Sequence, residues 1–413
     1  MIRIPLSARL AWRNLWRHSR RTLLTITAIA FGVALVIVSM GLREGGYTAL
    51  VDQAVRVVTG HVQVQARTYV DEPILRHDLP DARAWAQRLR ERLPESAVST
   101  RALGFALLAS ERQTLAATVA GVEVAHEAAV SAIPDSVRAG RYLAEPMAME
   151  VVLGEKLAHN LEATVGDILT LLGTDREGSV AATLLTVVGI FRSGVPELDR
   201  QLAQMPLGAF QQVFALGEGA HALVVRAEGD VDPAMLRQRV GASLGGDPAE
   251  VAVLTWDELQ PGTREAIELD FAASLIFYMA LIAIITIGIL NTFIMSVLER
   301  TREFGAMLAL GVAPGRLMRV VLTENIMLLL LSVACGVVLG ALLSAYLLAY
   351  GFEIPGMAEF ARAFGMPARL YPVITAQTLL TGPALVFGIA VIVSSLPVLR
   401  IRRLVPVQAM RAF

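Results

Sequence analysis

Lysine is almost missing from this chain: Lys156 stands alone, and the other basic residues are all arginine, a compositional habit rather than a mechanism. Cysteine is as scarce. The single Cys335 excludes a disulfide framework or a cysteine-based metal site within one chain. Charged residues make up 18% of the sequence, where a soluble protein carries about a quarter, and net charge is −1. No global field therefore points to nucleic acid or to an acidic substrate. The pattern G-x-x-x-x-G-K-[ST] does not occur, so any nucleotide that powers this protein must sit on another chain.

What is abundant is apolar sequence, at 55%, and it is concentrated. A hydrocarbon core of about 30 Å needs about 20 helical residues. Four stretches qualify: residues 23–42, 271–298, 320–350 and 373–399. The last carries Pro383 and Pro397. Arginine placement sets the expected orientation. Residues 1–22 hold Arg3, Arg9, Arg13, Arg17, Arg20 and Arg21 without an acidic residue. Residues 299–316 hold Arg300, Arg302 and Arg316, and the tail 400–413 holds Arg400, Arg402, Arg403 and Arg411. The loop 351–372 has only Arg362 and Arg369. Both termini are thus expected in the cytoplasm of a bacterium, with residues 43–267 outside its inner membrane. A cleaved signal is the rival reading of the start. Against it, the first apolar run is of full span length and no A-x-A site follows Met40.

Residues 43–267 have the mixed periodicity of an α+β domain. Gly60-His61-Val62-Gln63-Val64-Gln65 alternates as a half-buried strand does. Residues 81–93 read as an amphipathic helix, 151–158 as a strand entering a helix, and 184–190 as a strand. A helix over 233–240 and a strand over 251–254 follow. A subdomain is expected at about 145–205, between Pro146 and Pro206. The flanks 43–58 and 256–270 continue helical patterns, either as stalks that couple the domain to the spans or as plain connecting loops.

Catalytic patterns fail on context. Gly241-Ala242-Ser243-Leu244-Gly245 matches a nucleophile elbow, which needs a strand before its serine; here a helical pattern precedes it. His126-Glu127 opens H-E-x-x-H, but Val130 stands where the second histidine belongs. The expectation is a chain with no catalytic residue, no metal site and no cofactor of its own. A membrane-tethered external enzyme is the reading from a different functional class.

After the second span comes Val297-Leu298-Glu299-Arg300-Thr301-Arg302-Glu303-Phe304-Gly305-Ala306-Met307-Leu308-Ala309-Leu310-Gly311. It reads as a short cytoplasmic helix closed by Gly311 and Pro314. Exposed Phe304, Met307, Leu308 and Leu310 would need a groove on a partner, or else the lipid surface. The segment resembles the coupling-helix motif of FtsX/MacB-type ABC transporter permeases (type VII), with Phe304 in place of isoleucine. Ala11-Trp12-Arg13-Asn14-Leu15-Trp16-Arg17 with Arg20-Arg21-Thr22-Leu23-Leu24-Thr25 is similar to the family's N-terminal pattern. Glu324 stands where such permeases often carry a glutamate, and Pro406 with Ala409-Met410 resembles the family's ending. Within the external domain, Val187-Val188-Gly189-Ile190-Phe191 with Ser193-Gly194 looks most like lipoprotein-release permeases of the LolC/LolE type.

The resemblance implies a half-transporter. A second permease copy or paralogue would pair with it, and separate ATPase subunits would hold the ATP and Mg. By mechanotransmission, ATP-driven movement at Glu299–Gly311 would reach the external domain, acting on lipoprotein or other lipid-like cargo. Glu299, Arg300, Arg302 and Glu303 would make polar contacts with the ATPase, and Phe304, Gly305, Leu308, Leu310 and Gly311 complete the motif. A MacB-like efflux permease and an FtsX-like regulator of a periplasmic hydrolase are the alternatives within the family.

Two features of the spans stand apart from that motif. Ser332, Gly336, Gly340 and Ser344 form a small-residue stripe, packed either within the chain or at a dimer seam. Asn291 and Glu324 are intramembrane polar residues, functional candidates by default, although Glu324 can also be read as sitting at headgroup level beside Arg319.

Overall fold

A computed structural model describes residues 12–13, 15–17, 19–229, 231–244, 250–353, 356 and 369–399. The expected cytoplasmic tail, residues 1–11 and most of the loop 351–372 lie outside them. The chain divides into two compact units.

The first unit is helical. Span one is the helix Ser19–Ala54, unbroken through Gly45-Gly46 and followed by a π-helical turn over Val55–Thr59. Span two is Pro261–Glu299, span three Pro314–Tyr350 and span four Ala376–Leu399. All four are long and apolar enough to cross a membrane. At 1.5 Å per residue the first three run to about 55 Å, well beyond a hydrocarbon core of about 30 Å.

Span one is the central helix. Half of its apolar window is buried, against 17–28% for the other three. Small residues admit its neighbours. A Cβ on Gly336 would lie 2.7 Å from that of Val33 and 2.9 Å from the Ala30 carbonyl oxygen. Gly340 sits over Ile37 and Ala34, Gly382 of span four over Val36, and Gly32 over Ile285 of span two. The stripe Ser332, Gly336, Gly340, Ser344 is buried throughout, and its two glycines meet span one of the same chain. Close backbone approach is what small residues provide where lipid supplies no hydrophobic drive.

The second unit is α+β. Its strands are β1 Val62–Ala66, β2 Ser96–Ala109, β3 Thr114–Val122, β4 Val137–Gly140, β5 Glu150–Gly154, β6 Ile168–Thr174, β7 Val180–Phe191, β8 Leu202–Pro206, β9 Ala222–Ala227 and β10 Val251–Thr255. They form one sheet in the order β10-β1-β9-β2-β3-β8-β5-β7-β4. Because β6 pairs with both β2 and β7, the path β2-β3-β8-β5-β7-β6 closes on itself as a six-stranded barrel. Leu108, Val119, Leu153, Leu171, Leu185 and Met205 are among its buried residues. Residues 145–205 supply four of the six strands, with β2 and β3 completing the ring. The stretch expected as a subdomain is therefore stitched into the main sheet, because a barrel leaves no edge at which to separate it.

The expected elements at 81–93, 151–158, 184–190, 233–240 and 251–254 appear as a helix at Ala82–Arg92, β5 with a helix at Glu155–Asn160, β7, a helix at Pro233–Leu244, and β10. The alternating segment differs. β1 lies between β9 and β10 and is buried on both faces. Its glutamines are satisfied internally: Gln65 donates to Gln63 Oε1 at 2.8 Å, and Gln63 donates to the Thr59 carbonyl at 2.9 Å.

Candidate functional site

Span two ends at Glu299, and Arg300 (φ −98°, ψ 7°) turns the chain into a short connecting helix, Thr301–Ala309. Its exit is a glycine turn. Gly311 has φ +88°, its N–H reaches the Leu308 carbonyl, and the Val312 N–H reaches that of Met307, each at 3.1 Å. A residue with a Cβ would be strained there, which explains this glycine without a partner. Pro314 then opens span three at a position where a missing N–H costs nothing.

The connecting helix has two faces. Phe304 is 1% exposed and packs with Val297, Leu317, Val321 and Val398, while Met307 and Leu308 lean on the same cluster and Gly305 is buried. The expectation that Phe304 is exposed and fills a partner's groove is thus corrected. Its ring fills the chain's own core, where burying it gains more than a solvated position would. The opposite face carries Arg302, Ala306, Ala309 and Leu310, with Leu310 85% exposed. Arg302 has no ion-pair partner among the described residues.

Three of the four charges expected to reach a partner face their own chain. Glu299 accepts from Arg21, whose other nitrogen donates to the Thr292 carbonyl at 2.6 Å. Arg300 holds both oxygens of Glu324 at 3.0 and 3.2 Å and Glu303 at 3.3 Å, and Arg17 reaches Glu303 at 3.3 Å. Arg300 also lies 5.4 Å from the centre of the Phe304 ring, a cation–π distance. Glu324 therefore pairs with Arg300 and not with Arg319, which donates to the Gly315 carbonyl. Arg17 just before span one, Arg21 within it and Glu324 of span three all grip the root of the connecting helix. These groups line a polar chamber of about 420 Å³. Asn325, singled out by no motif, lines it too; it is buried, and its amide nitrogen has no hydrogen-bond partner among the described residues. Asn291 is exposed on span two.

In the second unit the catalytic patterns take structural places. Ser243 lies within the helix Pro233–Leu244 and donates to the Arg239 carbonyl at 2.8 Å. Glu127 is fully buried and accepts from Arg101 Nη2 at 2.6 Å and from the Ser99 hydroxyl at 2.9 Å. Arg101 also donates to the Val58 carbonyl at 2.7 Å, in the π-helical turn that extends span one. His221 accepts from the Leu103 N–H at 2.9 Å and faces the Leu75 carbonyl at 3.1 Å, which sets its proton on Nε2; burial holds it neutral, its pKa pushed below the usual histidine value. Burial pushes Glu123 up, but Arg90, His126 and Thr100 together outweigh that penalty and hold it below the ordinary carboxylate value. Among the described residues no three His, Cys, Asp or Glu side chains gather where they could hold a metal ion.

The chain is similar to known proteins along most of its length. Residues 22–243 match the MacB-like periplasmic core domain, and residues 275–406 match the FtsX-like permease C-terminal domain. The lipoprotein-releasing system transmembrane protein LolC of Neisseria meningitidis is 24% identical over 330 residues, 77% of each chain. LolE of Haemophilus influenzae is 24% identical over 349 residues, 81% of each. The macrolide export ATP-binding/permease protein MacB of Nitrosomonas europaea is 25% identical over 390 residues, and the chain spans 54% of its length. With both halves matched in order, and the two-faced connecting helix inside the second match, the chain belongs to the FtsX/MacB-type ABC transporter permeases.

Proposed function

We propose that this permease crosses the inner membrane four times, with both termini in the cytoplasm and the 43–267 domain, inserted between spans one and two, in the periplasm. A separate ATPase subunit, carrying the ATP and Mg, docks on the connecting helix, and a second permease copy or paralogue completes the assembly. The cargo is a lipoprotein or another lipid-like molecule, a reading drawn from the names of the LolC and LolE relatives. The arginine-rich segments before span one and between spans two and three support the orientation.

The two-faced connecting helix carries this reading. One face is locked to spans one to three by ion pairs and by Phe304, so a pull on the helix is passed on rather than absorbed. The other presents Arg302 and a nearly naked Leu310, the arrangement of a small apolar anchor with a charged rim. Arg302→Glu with Leu310→Asp is the direct test, since both side chains are exposed and Arg302 has no ion-pair partner among the described residues. The ATPase should no longer co-purify from membranes while the permease inserts at normal levels. Full ATPase retention by that variant, or labelling of Arg302→Cys from the periplasmic side, overturns the docking role.

A further inference from the structure

The polar chamber at the root of the connecting helix does not end at its charges. It shares Arg21, Thr25 and Thr292 with an apolar groove of about 600 Å³ that runs between spans one and two. Leu24, Phe31, Leu35, Ile284, Ile285 and Gly288 line that groove. An ideal Cβ on Gly288 meets no atom within 4 Å, so the groove is open at its floor. Together the two cavities make one amphipathic site, with charges at the arginine-rich end and a hydrocarbon channel leading from it along the helices.

We propose that this site holds one glycerophospholipid with a phosphoethanolamine headgroup, resident in the leaflet on the arginine-rich side. The inference goes beyond the transport reading and rests only on these helices standing in a bilayer. Charge selects the headgroup. The chamber carries Arg17, Arg21 and Arg300 against Glu299, Glu303 and Glu324, so it is balanced. A simple anion would enter with uncompensated charge in a partly buried site. A zwitterion brings its phosphate to the arginines and its ammonium to the glutamates and leaves the balance intact. Asn325 supplies the second observation. Its side chain is buried against the chamber and its Nδ2 hydrogens have no acceptor among the described residues, an omission that native structures rarely leave unfilled. A phosphate or ester oxygen at that point supplies the acceptor. An acyl chain in the groove covers Ile284, which is otherwise 69% exposed.

The full chain purified in a mild detergent tests this by native mass spectrometry, with phosphatidylethanolamine or phosphatidylglycerol added in parallel. The expected result is one tightly held phosphatidylethanolamine, with phosphatidylglycerol, which lacks the ammonium, held about ten-fold more weakly. Gly288→Leu places a side chain in the groove at a position where its Cβ meets no atom within 4 Å, and should cut phosphatidylethanolamine retention about ten-fold. Asn325→Leu removes the donor and should do the same, and circular dichroism should show both variants folded. Absence of bound lipid from the wild-type chain overturns the site, as does equal retention by both variants. Equal retention of the two lipids overturns the headgroup assignment. Co-purification of the ATPase, read from the same preparations, reports on the transport reading separately.

Discussion

The ion pair between Arg101 and Glu127 offers a sharp test of how the α+β unit holds its π-helical turn Val55–Thr59. Glu127 is fully buried and the Arg101 side chain is 10% exposed, so solvent screening barely weakens the pair. The remaining nitrogen of Arg101, Nη1, donates to the Val58 carbonyl at 2.7 Å. Glu127→Leu leaves a cation buried in apolar surroundings without its counter-charge, which costs about 3–5 kcal/mol. Arg101→Leu with Glu127→Leu removes both charges and should recover most of that loss. The residue is about 1 kcal/mol for each stranded hydrogen-bonding group, here the Ser99 hydroxyl and the Val58 carbonyl. Amide hydrogen exchange of the β2 peptide in the full-length protein reads the difference. The single variant should exchange about a hundred-fold or more faster than wild type, and the double variant within about thirty-fold. If the double variant exchanges as fast as the single one, the cost lies in lost packing and not in an orphaned charge, and the reasoning fails.

Two further outcomes follow from the same geometry. Gly336→Leu forces a side chain into Val33 and the Ala30 carbonyl and should lower stability in detergent by at least about 1–3 kcal/mol, whereas Gly241→Ala, in open space, should be neutral or stabilising by about 0.5–1 kcal/mol; thermal melts of both separate a tight helix crossing from general intolerance of larger residues. His221, neutral in the fold with a lowered pKa, binds fewer protons than the unfolded chain below the ordinary histidine value of 6.5, so stability should fall as pH drops beneath that value. Its replacement by glutamine should flatten that part of the profile, measured as melting temperature between pH 7.5 and 5.5, and an unchanged slope would remove His221 from the account.

Legibility followed the range of the interaction concerned. The spans are plain in the sequence because a bilayer imposes a local rule, an uncharged apolar run of sufficient length. The helix Ala82–Arg92 and the turn at Gly311 were legible for the same reason, since capping, periodicity and positive φ are local matters. The barrel was not. β2 pairs with β9, β3 and β6 along one 14-residue strand, and no periodicity announces which partners a strand will find. Gln63 and Gln65 misled the reading of β1, because polar residues in alternation mark a wet face only when no internal acceptor awaits them. At the connecting helix, the motif located the element, but its charges and Phe304 read as outward-facing when most of them turn inward.

By itself the amino-acid order determined the number and place of the long apolar helices, the arginine bias beside them and the short helix that follows span two. Each of these depends on neighbours a few residues apart or on solvent, so each is written locally. Tertiary structure decided which of the charges at that helix are spent: Arg21 and Glu299 are 278 residues apart, and Arg300 reaches Glu324 of span three from the turn before the connecting helix. A side chain's freedom to meet a partner depends on whether the fold has already given it one, and only three-dimensional packing brings such distant groups within reach.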